Sequence, residues 1–183
     1  MKTAQNWLED ANIAFGEQRY GKAIKYYSQA IKLNPDFAKA YYNRGNAYDE
    51  NKKYKKAIKD YSKAVELKPD YLKAYFNRGI LYGKIRKKYV KAIADFTKVI
   101  ELDPDDADAY NNRGICYKNN KEYAKSIADF TKAIELEPDN ASAYYNRGNS
   151  YKLNREPDKA MADYTKAAEL GHEEAKKMEI HKK

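Results

Sequence analysis

The octet YYNRGNAY, residues 41–48, sets an arginine among tyrosines, small residues and amides. The arrangement returns as YFNRGILY at 75–82, YNNRGICY at 110–117 and YYNRGNSY at 144–151. The glycines Gly45, Gly79, Gly114 and Gly148 step by 34, 35 and 34 residues, and Pro35, Pro69, Pro104 and Pro138 step by the same intervals. A fixed period of this size marks a solenoid built from one repeated supersecondary unit. The odd residue falls between Tyr82 and Ala92, which are ten apart where Tyr48 and Ala57 are nine apart, so the third unit has a longer inner turn.

Each unit splits into two helical patterns. Tyr41, Gly45 and Tyr48 fall on one helix face, and Ala57, Ile58, Tyr61, Ala64 and Val65 form a second stripe of period 3.6. The stretch ENKKY, 50–54, is the turn between them. Pro69 ends the second helix because it cannot continue it, and Asp70 is expected to cap the next. The small pair Gly45 and Ala57 is expected to let the two helices approach closely. No alternation of period two calls for a strand.

Composition agrees with a folded helical array. Of 183 residues, 43% are hydrophobic, 14% aromatic and 34% charged, with 8 Gly and 5 Pro, which excludes disordered and collagen-like chains. The single cysteine, Cys116, can form no internal disulfide and takes the place of Ala47, Leu81 and Ser150, so it reads as a small buried residue in a reducing, cytoplasmic setting. No run of about 18 apolar residues and no secretory leader pattern is present, so no membrane span is expected. The net charge is +9; the segments between successive prolines carry +2, +4, +4, −2 and +1. The excess lies in lysine clusters near 52–59 and 84–91, which read as solvated faces of a helical array.

The residues at these spacings resemble the tetratricopeptide repeat family, whose pattern is W-x2-L-G-x2-Y, A-x3-F and P. The second unit matches through Tyr41, Gly45, Tyr48, Ala57, Tyr61 and Pro69, and the third through Tyr75, Gly79, Tyr82, Ala92, Phe96 and Pro104. The fourth keeps Tyr110, Gly114, Tyr117, Phe130 and Pro138, with Ser126 for the alanine; the fifth keeps Tyr144, Gly148, Tyr151, Ala160 and Tyr164 without the proline. A weaker first unit holds Trp7, Ala23, Tyr27, Ala30 and Pro35, with Ala11 for the glycine. The resemblance implies an all-α, right-handed superhelical solenoid of antiparallel helix hairpins, one domain over 1–183. Its repeats would span about 4–36, 37–70, 71–105, 106–139 and 140–171, with a polar capping helix over about 172–183 that contains Ala175 and Met178. The junction AAELGHEEA, 167–175, is also similar to that of Sel1-like repeats.

The family usually has leucine where this chain has Arg44, Arg78, Arg113 and Arg147. A lone buried guanidinium is very costly, so a partner is required. Asp60, Asp95, Asp129 and Asp163 stand at offsets of 16, 17, 16 and 16, and the insertion in the third unit shifts its aspartate too. The first unit has Asp10 and Tyr26 at the two places, so both members are lost together. Four partly buried ion pairs, one per hairpin, are therefore expected.

The asparagine before each arginine is turned about 100° away from the buried stripe. Asn43, Asn77, Asn112 and Asn146, with Asn12, Lys39, Asn46, Lys73 and Asn149, form the stripe that lines the concave groove in the resembled family, with Tyr42, Phe76 and Tyr145 beside it. Such amides can bond an extended peptide's main chain while the aromatics take up its side chains. Asparagine ladders of this type occur in superhelical members of the family, including the O-linked sugar transferase. A protein or peptide partner held in that groove is the expected function. The family's dicarboxylate clamp, which holds the C-terminal carboxylate of chaperones, is matched by Asn12, Asn43 and Lys73, but Leu8 and Asn77 replace two of its cations. Single-stranded RNA is a rival suggested by the charge and the aromatics, but the lysine clusters lie away from the asparagine stripe. No Gly-rich phosphate loop, metal-ligand cluster or catalytic constellation appears, so no enzyme, cofactor or metal site is expected, and His172 and His181 lack partner ligands in sequence.

Overall fold

The computed structural model describes residues 1–85 and 88–180, with the side chains of 178–180 left aside. Arg86 and Lys87 of the second basic cluster, His181, and the end of the expected capping helix lie outside the described residues, as does the side chain of Met178. The described chain is all-helical and divides into two compact units, Met1–Leu81 and Tyr82–Lys183.

In the first unit, α1 (Ala4–Gly16), α2 (Tyr20–Leu33), α3 (Ala38–Glu50), α4 (Tyr54–Leu67) and most of α5 (Leu72–Lys84) follow in order. Leu8, Ala11 and Ala14 of α1 close with Ala23, Tyr27 and Ala30 of α2 over Ala40 and Ala47 of α3. Trp7 lies against Tyr26 with ring centroids 5.2 Å apart. The glycine of the octet seats an aromatic ring: a Cβ on Gly45 would come within 2.6 Å of the Tyr61 ring. Ala57, expected to share this close approach, is fully buried. Further along, Ala64 and Val65 of α4 pack on Ala74 of α5.

The second unit holds the end of α5, then α6 (Tyr89–Leu102), α7 (Ala107–Asn119), α8 (Tyr123–Leu136), α9 (Ala141–Leu153), α10 (Pro157–Glu169) and α11 (Glu173–Ile180). Gly114 and Gly148 seat the rings of Phe130 and Tyr164 in the same way. Ser126, which stands for alanine, is buried, and its Oγ reaches the Gly114 carbonyl and the Ser150 hydroxyl, both at 2.8 Å. Cys116 is buried, and burial pushes its thiol up to about 11. The short α11 buries Ala175 against Ala167 and Ala168. His172 stacks on Tyr145 with centroids 4.2 Å apart, and its Nδ1 accepts the Ala175 N–H.

The helix ends follow from local chemistry. Asn34, Lys68, Asp103 and Glu137, each before a proline, are pushed out of the helical region and close the even-numbered helices α2 to α8. Inside hairpins, Gln18, Lys52, Lys121 and Arg155 take positive φ. The residue after each returns its N–H to the carbonyl five residues back, as in Lys53 to Tyr48 at 2.7 Å and Glu122 to Tyr117 at 2.9 Å. The fifth hairpin has no proline after its second helix, and α10 is followed instead by Gly171 at φ 96. Asp70 does not cap α5: the helix begins at Leu72, and Asp70 offers that residue its carbonyl. Side-chain caps come instead from Thr3, Asp106 and Asn140.

Candidate functional site

Arg44, Arg113 and Arg147 of the octets are each tied on three sides. Arg44 donates through Nε and Nη2 to the two oxygens of Asp60, at 2.6 and 2.8 Å, and through Nη1 to the Ser28 hydroxyl at 2.9 Å. Arg113 does the same with Asp129 and Thr97, and Arg147 with Asp163 and Thr131. Tyrosines one turn to either side, Tyr41 and Tyr48 around Arg44, place their rings 5.5 and 5.9 Å from the guanidinium carbon. With 16–17% of the three arginine side chains exposed, this charge is spent on the fold and is not on offer to a ligand. Burial raises the Asp129 carboxyl, against the pull of Arg113, while the bond to Asp129 raises Arg113. Arg78 bonds Ser62 and lies over the Tyr75 ring in the first unit, and Asp95 is buried in the second. In the first hairpin Asp10 pairs with Lys2 instead.

The serine or threonine is a partner that the charge-matching argument overlooked. Ser28, Ser62, Thr97 and Thr131 stand 16 residues before the four arginines, a spacing as regular as that of the aspartates. Ser28, Ser62 and Thr131 each donate to the carbonyl four residues back, which leaves their oxygen lone pairs facing the incoming guanidinium. The bond therefore links consecutive hairpins.

The asparagines lie on the odd-numbered helices and are partly engaged. In the first unit the Tyr27 hydroxyl and Asn43 Nδ2 both donate to Asn12 Oδ1, at 2.8 and 2.9 Å. One hairpin on, the Tyr61 hydroxyl and Asn77 Nδ2 both donate to Asn46 Oδ1, at 2.8 and 3.1 Å, and Asn77 also reaches the Tyr42 hydroxyl at 3.2 Å. Burial pushes Tyr27 up to about 12 and raises Tyr61 as well. In the second unit the Tyr164 hydroxyl donates to Asn149 Oδ1 at 2.9 Å. The sequence carries this pattern too: the hairpins with Asn12, Asn46 and Asn149 have Tyr27, Tyr61 and Tyr164, whereas Ile80 and Ile115 go with Phe96 and Phe130. A hydroxyl is present where an amide receives it.

Among the aromatics, Tyr42 rests against Tyr71 and Tyr61, with centroids 4.9 and 5.9 Å apart, and Tyr145 is covered by His172. Phe76 is half-buried; Lys39 and Lys73 are exposed. Asn112 donates to the Asp108 carbonyl of its own helix, and Asn146 Oδ1 accepts from Lys118 at 3.4 Å. A pocket of about 280 Å³ opens between Asn12, Phe15, Tyr27, Asn43 and Asn46. Leu8, in a clamp cation's place, is buried. Among the described residues no group of three His, Cys, Asp or Glu side chains comes together to hold a metal, and no helix is long and apolar enough to cross a membrane.

Family profiles described as "Tetratricopeptide repeat" match residues 38–71, 107–140 and 141–173, and profiles described as "TPR repeat" match 11–52 and 84–121, together well over half of the chain. The chain belongs to the tetratricopeptide repeat family. Two similar solved structures are those of a MamA protein, 25% identical with a TM-score of 0.88 over 94% of both chains, and of YrrB, a TPR protein, 24% identical with 0.88 over 98% of this chain and 92% of that one. Curated relatives match locally. Hsp70-Hsp90 organizing protein 3 of Arabidopsis thaliana is 47% identical over 45 residues, 25% of this chain and 8% of that protein. Serine/threonine-protein phosphatase 5 of Homo sapiens is 48% identical over 48 residues, 26% and 10%. The chain thus covers a tenth or less of these proteins. Membership of a scaffold family points to protein–protein interaction and to a non-enzyme.

Proposed function

We propose that this tetratricopeptide repeat protein holds an extended segment of a protein partner on the face formed by the first helices of its hairpins, in a reducing, cytoplasmic setting. The observation that carries the reading is the hydrogen-bonding capacity left on the asparagines. Asn12 and Asn46 each receive two donors on Oδ1, which leaves their Nδ2–H groups, while Asn43 and Asn77 spend Nδ2 and keep Oδ1. Donors and acceptors then alternate along the first unit, which is what a peptide main chain requires. Internal bonds hold these amides in place, so less ordering entropy is lost on binding. YrrB, whose structure was described as having an unusual peptide-binding site, has the same fold. Lys39, Lys73 and Phe76 would contact partner side chains in the first unit, and Asn112, Tyr145, Asn146 and Asn149 are the corresponding contacts within the second.

The test is capture from a peptide library by the wild type and by Asn43→Ala/Asn77→Ala, with the melting temperature as a control for folding. A loss of about tenfold or more is expected from several missing hydrogen bonds. Unchanged capture would move the site to the basic second helices. Captured peptides that all require a free C-terminus would favour the carboxylate-clamp reading through Lys73.

A further inference from the structure

Burial lowers the Lys118 ammonium. It lies on α7 and, among the described residues, makes one long hydrogen bond, 3.4 Å to Asn146 Oδ1 on α9. Seven other lysines, such as Lys125 and Lys132, pair with a glutamate three residues away. Lys118 has no such partner among the described residues, because Glu122, the acid four residues on, is held by Lys125 and Asn120. An ammonium has three donors, and Asn146 takes only one of them among the described residues, on a partly desolvated charge. Asn146 keeps its Nδ2–H groups beside it. An ammonium and an amide N–H set side by side suit the two oxygens of one carboxylate.

We propose that Lys118, with Asn146, anchors a carboxylate of the partner segment, carried by an aspartate or glutamate side chain or by a free C-terminus. The inference rests on the reading of the first-helix face as a peptide-binding surface. The anchor lies in the second unit and uses neither Lys73 nor the other positions of the dicarboxylate clamp.

The test uses the full chain and an array of short peptides in matched Glu/Gln and Asp/Asn pairs, each made with a free and with an amidated C-terminus, at about 0.15 M salt. The wild type is expected to prefer the acidic member by about tenfold. Lys118→Gln should abolish the preference without lowering the melting temperature or the capture of neutral peptides, and Lys118→Arg should retain it. Loss of the preference on amidation identifies the C-terminus as the source; its persistence identifies the side chain. Equal binding of matched pairs, or a preference that survives Lys118→Gln, overturns the anchor. If neutral peptides are still lost in Asn43→Ala/Asn77→Ala, the binding surface itself stands. Should the array capture nothing, lysine-labelled NMR decides with acetylglutamate methylamide as probe: a shifted Lys118 side-chain resonance, absent with acetylglutamine methylamide, supports the anchor, and no shift overturns it.

Discussion

Arg113 distributes its donors over Asp129 and Thr97, so truncating it leaves a buried carboxylate with its main partner gone. Arg113→Leu is expected to lower stability by about 3–5 kcal/mol in urea titrations, and Arg113→Leu/Asp129→Leu to recover much of that, because an ion pair replaced whole by apolar groups is near neutral. A double variant no more stable than the single one would mean that the two charges act separately. The tyrosine–asparagine pair behaves alike. Asn46→Ile strands the buried Tyr61 hydroxyl and should cost about 1–3 kcal/mol, whereas Tyr61→Phe/Asn46→Ile, the combination found at Phe130 and Ile115, should lie closer to wild type. The same tyrosines set an alkaline limit. Burial raises Tyr61 and pushes Tyr27 and Tyr71 up to about 12, so the neutral phenol is favoured by the fold. The stability this contributes is whole below pH of about 10 and is lost as pH climbs through about 12. A late phase of tyrosinate absorbance should therefore rise together with loss of helical circular dichroism; a single early phase that ionises every tyrosine with the helix intact would contradict it.

At the scale of the helix, Gln18, Lys52, Lys121 and Arg155 in the described hairpin turns take positive φ, where a Cβ is strained by about 1 kcal/mol. Lys121→Gly should therefore raise stability by about 0.5–1 kcal/mol, read as a higher urea midpoint with unchanged slope. No change would mean that Lys121 is already relaxed by its neighbours. The turn ENKKY was legible in sequence, and so was the stop at each proline. The start of α5 was not: Asp70 has the chemistry of a cap, but the chain turns one residue later and the helix begins at Leu72. Propensity names the cap, and the path out of the preceding pre-proline bend decides whether it is in position.

At the scale of the molecule, the charge of +9 leaves two classes of partner to be separated by salt. Peptide capture governed by amides should change by less than about tenfold between 50 and 200 mM salt, whereas an RNA bound through 6–10 phosphates would lose about a thousandfold or more. A steep loss would transfer the function to the lysine-rich second helices. The candidate surface was only partly visible beforehand. Asn43, Asn77 and their sisters could be assigned to one face from their spacing, but nothing local told that Asn12 and Asn46 would have Oδ1 filled by tyrosines fifteen residues on.

Period, the proline-marked helix stops and the division between an arginine stripe and an amide stripe were settled by the chain itself. Each depends on neighbours within a turn or on a repeat that the eye can count. The hydroxyls of Ser28, Thr97 and Thr131 in the arginine network, the seat of Tyr61 on Gly45, and the half-buried ammonium of Lys118 came from the packing of one helix on another. Such contacts are fixed by interhelical distances of a few ångströms, which emerge when the hairpins stack and have no counterpart in the spacing within any single helix.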